Sequence, residues 1–116
     1  MASEYKLRLS QIPPVVIPEI VIARKGNKAA WPTLAGISIA QVEIPVNEWR
    51  APHYHTNTAE LSVLVKGTAR AGLITPQNQL IVEDMKEGDC IFFPIGWTHW
   101  IRNTAQIAVE DVLQLW

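Results

Sequence analysis

Almost every apolar run in this chain is short, rich in Val and Ile, and closed by Gly, Pro or Asn. An amphipathic helix repeats its apolar positions three and four apart over ten or more residues, whereas a half-buried strand only has to alternate over four to eight. No window supports a long amphipathic helix, so the chain has to bury its side chains between sheets. The pattern predicts strands at 5–9, 20–24, 36–44, 48–55, 60–66, 69–75, 79–84, 90–93, 98–102 and 107–115. Short strands with turn signals every eight to twelve residues or so suggest an all-β, single-domain sandwich or barrel of the jelly-roll kind. Pro13, Pro14 and Pro18 favour an extended, edge-like start, so residues 1–30 are expected as an arm or edge strands and 31–116 as the barrel. Gly67 is expected at the tip of a hairpin, and Thr75-Pro76-Gln77-Asn78 as a loop.

With 116 residues there is room for one core, and 48 % hydrophobic against 18 % charged residues describes a chain with much of itself inside. A net charge of −1 with no basic cluster offers no electrostatic case for nucleic acid or an anionic membrane. Met1 to Lys6 lacks a signal-peptide pattern, no apolar stretch is long enough to span a bilayer, and a single cysteine cannot form an internal disulfide. A cytoplasmic protein is the expectation. Cys90, in the apolar run Cys90-Ile91-Phe92-Phe93, is expected to be a buried, inert thiol. Trp31, Trp49, Trp97, Trp100 and Trp116 are expected chiefly in the core, a subunit interface being the alternative and Trp116 its best candidate. In the last strand Asp111 alternates with apolar residues and, if buried, needs a partner.

All three histidines fall in two blocks. The first runs His53-Tyr54-His55, Glu60, Gly67; the second runs Gly88, Pro94, Gly96, His99, Asn103. Residues two apart on a strand share a face, so His53 and His55 present two imidazoles side by side, and a turn through residues 56–59 returns the chain to bring in Glu60. His99 has to arrive from a distant strand. Three imidazoles and one carboxylate suit Mn, Fe, Ni or Zn better than the all-oxygen shells of Ca or the thiolate shells of structural Zn.

The two blocks resemble the two motifs of the cupin superfamily, the likeness extending over roughly residues 31–115. The resemblance implies a jelly-roll barrel holding a divalent metal through His53, His55, Glu60 and His99. Within the superfamily, His53-Tyr54-His55-Thr56-Asn57-Thr58-Ala59-Glu60 and Thr98-His99-Trp100-Ile101-Arg102-Asn103-Thr104 look like one domain of the oxalate decarboxylases and, less closely, the germin-type oxalate oxidases. That likeness implies Mn first and Fe next, a small organic acid such as oxalate as substrate, and Arg50 as the group binding its carboxylate. A guanidinium beside a divalent cation suits a small dicarboxylate. Strict alternation, however, puts Trp49, Ala51, His53 and His55 on one face and Arg50 on the other, so Arg50 reaches the metal only if the strand bulges near Pro52.

Decarboxylases of this type also carry a glutamate on a mobile lid beyond the last metal histidine. The seventeen residues after His99 place Glu110 and Asp111 in the final strand, so an oxidase, dioxygenase or other small-acid activity is expected ahead of efficient decarboxylation. The alternatives are a non-catalytic cupin that binds a small ligand or serves as a scaffold, and a sugar isomerase or epimerase. The apolar arm Ile12-Pro13-Pro14-Val15-Val16-Ile17 suggests a homodimer paired through arms or edge strands.

Overall fold

A computed structural model describes residues 4–17, 21–105 and 109–115, of which 17, 21 and 109–115 are described as backbone only. Ten strands follow one another: β1 (Val15–Ile17), β2 (Val21–Gly26), β3 (Ile39–Ile44), β4 (Trp49–His53), β5 (Glu60–Leu64), β6 (Thr68–Ile74), β7 (Leu80–Lys86), β8 (Cys90–Phe93), β9 (His99–Asn103) and β10 (Val109–Leu115). They form a six-stranded sheet, β1-β2-β3-β10-β5-β8, and a four-stranded sheet, β4-β9-β6-β7. Every ladder is antiparallel. This is the jelly-roll architecture expected, and among the described residues no helix is long and apolar enough to cross a membrane.

Alternation decides which side chains the sheets enclose. In β3, Ala40, Val42 and Ile44 are buried and their neighbours half-buried. β5 buries Glu60, Ser62 and Leu64, and β9 buries His99, Ile101 and Asn103. The interior is thus graded along these two strands: polar at the Glu60 and His99 end, apolar around Leu64 and Ile101, where Ala69, Ala71, Met85 and Phe93 complete the core. Asn103, fully buried, donates from Nδ2 to the Ile44 carbonyl at 2.8 Å and accepts from the Ala105 amide at 2.7 Å, so both ends of its amide are satisfied.

The strand at 5–9 is absent. Tyr5 lies in a turn and Leu9–Gln11 forms one 3-10 turn, while Leu7 and Leu9 lie against the buried Gly26. Their alternation served packing across the end of a sheet rather than pairing within it. The arm instead pairs one step later, Val15 to Ile17 against Val21 to Ala23, as the edge strand β1. Gly67 does not tip a hairpin either: β5 pairs with β8 and β10, and β6 with β7 and β9, so the connection through Gly67 carries the chain from one sheet to the other. Its φ of +97°, like the +89° of Gly88, falls in the left-handed region that favours glycine.

Cys90 is exposed rather than buried. In β8 the inward positions are Ile91 and Phe93, and the run Cys90-Ile91-Phe92-Phe93 is apolar on both faces although the sheet covers only one, leaving Phe92 57 % exposed. The tryptophans depart from expectation in the same way. Of those described, only Trp97 packs against the core, and it is half-buried. Trp49 and Trp100 lie edge to face, ring centres 6.0 Å apart, and Trp31 donates to the Glu4 carbonyl at 2.6 Å. Trp116 and the side chains of Glu110 and Asp111 lie outside the described residues.

Candidate metal centre

The site is assembled by both sheets. β5 of the larger sheet brings Glu60, β4 and β9 of the smaller one bring His53 and His99 as a cross-strand pair, and His55 sits just past β4 on the connection that crosses between them. One ligand atom from each of the four residues lies within 4.8 Å of all the others. The imidazole rings of His53 and His99 are 4.3 Å apart, those of His53 and His55 5.2 Å, and those of His55 and His99 5.6 Å.

Backbone carbonyls set two of the three tautomers. Ala51 and Trp97 carbonyls can only accept, so His53 donates from Nδ1 at 2.8 Å to the first and His99 from Nδ1 at 3.0 Å to the second. That leaves Nε2 of each ring with its lone pair free to bind a cation. His99 Nε2 is fully buried, has no hydrogen-bond partner, and lies 3.4 Å from Glu60 Oε2. A lone pair facing a carboxylate oxygen, with both groups 2 % exposed, needs a proton or a cation between them. His55 Nε2 lies 3.1 Å from Glu60 Oε1. The donor set, its crowding and the orphaned nitrogen all fit a divalent cation.

The ionisation states agree. Burial, helped by the charges of Arg50 and His99, lowers the His53 pKa to about 4 against the opposing pull of the Ala51 carbonyl and Glu60, so its imidazole is neutral at physiological pH. Burial alone would raise Glu60, but the imidazoles packed around it, His99 first, outweigh burial and hold the carboxyl below its ordinary range.

Arg50 turns toward the same interior. Trp49 pairs with Arg102, Arg50 with Ile101 and His53 with His99, so Ala51 and Pro52 stand opposite the single residue Trp100. This β-bulge shifts the alternation by one: Arg50 shares the inward face of the buried Ile101, His53 that of His99, and Trp49 turns outward with the exposed Arg102. The face expected for Trp49 with His53 is therefore corrected, and the bulge on which Arg50 depended is present. Pro52 has no N–H to give a ladder, and β4 lies at a sheet edge where its loss is tolerated.

Two contacts escaped the sequence reading. Phe93 stacks on His99 with ring centres 4.1 Å apart and an interplanar angle of 11°, and the Ser62 hydroxyl donates to Glu60 Oε2 at 3.3 Å. Ser62 was within reach, since it lies two residues after Glu60 on one strand. Phe93 was not, because its place opposite Glu60 is a cross-strand register.

A family model described as Cupin matches residues 9–112. Germin-like protein 9-3 of Oryza sativa subsp. japonica is 34 % identical over 69 % of this chain and 38 % of its own length. The rhicadhesin receptor of Pisum sativum is 31 % identical over 59 % of this chain and 31 % of its own. A solved structure of Bacillus subtilis oxalate decarboxylase superposes with a TM-score of 0.84 at 21 % identity, over 94 % of this chain and 28 % of that one, a likeness of fold. The chain thus spans about two fifths or less of its curated relatives' length. The cytoplasmic expectation is overturned, because the germin-like relatives are extracellular plant proteins. Neither Cys90 nor the composition of Met1 to Lys6 carries compartment information for a chain that covers so little of them. With most of its length matched by one family model, its strands in jelly-roll order and its histidines and glutamate gathered between the sheets, the chain belongs to the cupin family.

Proposed function

We propose that this cupin holds a divalent cation, Mn or otherwise Fe, through His53, His55, Glu60 and His99, and acts on a small carboxylate of the oxalate type as an oxidase, decarboxylase or dioxygenase. The observation that carries the reading is that Arg50 is turned by the bulge onto the inner face shared with the four donors. Imidazoles bind a metal as neutral ligands, so with one carboxylate a bound dication would keep a net positive charge, and Arg50 adds another. Such a site recruits an anion. A bound cation would supply Lewis acidity and a template for a carboxylate oxygen. Arg50 would hold the far end of the acid through its fork of N–H donors, and the buried walls, Phe93 and Ile101 among them, would keep water out.

Elemental analysis of the protein as purified, followed by oxygen uptake and product analysis with oxalate and a panel of small acids after loading with Mn or Fe, tests the proposal. One equivalent of metal and turnover of an acid are expected; a protein that retains no metal under any loading sinks it. A second reading, a binding module without turnover, draws support from a relative named as a receptor. Calorimetry showing tight binding of a small acid with no turnover across the panel would favour it.

The proposal extends to a homodimer. The exposed Val15 and Val16 of the edge strand β1 are suited to pairing between copies. Sedimentation at micromolar concentration should show twice the monomer mass, and a monomer there contradicts this.

A further inference from the structure

Two registers of β4 against β9 keep His53 opposite His99. In the observed one, Trp49 pairs with Arg102 and Arg50 with Ile101, while Ala51 and Pro52 stand together opposite Trp100. An unbulged strand would instead set Pro52 opposite Trp100, Ala51 opposite Ile101, Arg50 opposite Arg102 and Trp49 opposite Asn103. The choice between them decides whether Arg50 lies inside the barrel or outside it.

Trp49 tells the two registers apart. In the observed one its indole stands on the outer face, 39 % exposed, and meets Trp100 edge to face. Trp100 in turn lies over Gly72, its partner on β6, in space that any side chain at position 72 would claim. In the unbulged register the indole would turn inward beside Asn103, which is 0 % exposed and has both ends of its amide bonded. A position packed in that way does not take an indole without displacing its neighbours. Arg50 would also face the like charge of Arg102.

We propose that Trp49, seated against Trp100 over Gly72, is a positioning residue whose bulk and ring contact lock β4 in the bulged register and so hold Arg50 on the inner face. The inference rests on the proposed role of Arg50 and deepens it: recognition of an acid inside the barrel depends on an aromatic pair on the outer face of the same sheet. Trp49→Ala removes both the contact and the bulk, whereas Trp49→Phe keeps a ring for each.

The test is the register of β4 in the full, metal-free chain, read by NMR from cross-strand contacts between backbone protons. In Trp49→Ala the contact of residue 50 with 101 should give way to one with 102, while that of 53 with 99, common to both registers, persists. Trp49→Phe should keep the wild-type contacts. After loading with Mn(II), Trp49→Ala should retain wild-type metal content but bind oxalate about tenfold more weakly, and Trp49→Phe should restore the affinity. Wild-type contacts between 50 and 101 in Trp49→Ala overturn the proposal, as does unchanged oxalate affinity. Should the alanine variant not fold, Trp49→Leu, apolar but smaller and without a ring, should show the same shift in smaller degree, and wild-type contacts there also overturn it. If wild type itself binds no oxalate, the proposed function loses its substrate, while the NMR contacts still decide the role of Trp49.

Discussion

Phe93 lies flat against His99, ring centres 4.1 Å apart and planes 11° from parallel, so the most deeply buried imidazole of the cluster is held between a stacking surface on β8 and its hydrogen bond to the Trp97 carbonyl. Since β8 and β9 belong to different sheets, this contact ties the candidate metal cluster to the packing of the whole barrel.

Replacing Phe93 should therefore affect both stability and metal binding. Phe93→Ala is expected to lower unfolding free energy by about 3–5 kcal/mol, the usual loss for a buried aromatic. Phe93→Leu should fold with a smaller loss yet bind Mn(II) less tightly, because the ring that fixes His99 is gone. Urea denaturation and metal titration of the two variants check this, and wild-type metal affinity in Phe93→Leu would show that the stack does not orient the ligand.

Arg50 reaches the interior only through the bulge at Ala51 and Pro52. Arg50→Ala should leave metal content at the wild-type level while weakening binding of oxalate or a related acid by about tenfold or more, the loss of a charge-assisted bidentate contact. Metal analysis with calorimetry separates the cases, since loss of metal together with the acid would mark the arginine as structural.

Metal-free protein should lose stability on acidification. The His53 pKa falls from 6.5 when free to about 4 when folded, so between those values the unfolded chain binds a proton that the folded chain refuses. This contribution is complete above pH of about 6.5 and is lost as pH drops toward 4. Glu60, held below its ordinary value of 4.5, acts in the same sense at still lower pH. The urea midpoint should be lower in mildly acidic than in neutral buffer, and His53→Gln should flatten the difference. An equal or higher midpoint in acid contradicts the assignment.

Gly72 sits beneath the Trp100 indole, and a Cβ built there would lie 2.3 Å from the ring. Gly72→Ala must displace Trp100, which also meets Trp49, and should cost about 1–3 kcal/mol. Tryptophan emission and denaturation report both effects. Unchanged emission with wild-type stability would mean that the sheet absorbs the methyl group elsewhere.

Much of this was legible in order along the chain. Eight of the predicted strands after residue 30 recur within a few residues, and the histidines with Glu60 were identifiable from spacing because strand periodicity is a local property. Whatever depended on which strand lies beside which was not. Cys90 read as buried because apolarity does not reveal which face of an edge strand is covered. Gly67 read as a hairpin because a turn residue does not say whether the chain returns to the same sheet or crosses to the other.

The sequence by itself determined most of the strands and the four candidate ligand residues, since each follows from the stereochemistry of a few adjacent residues. Tertiary structure alone decided that His99 meets Glu60, that Phe93 covers His99, and that a single extra residue opposite Trp100 turns Arg50 inward. Those depend on register between strands far apart in the chain. A shift of one residue there exchanges the faces of a sheet without altering any local preference.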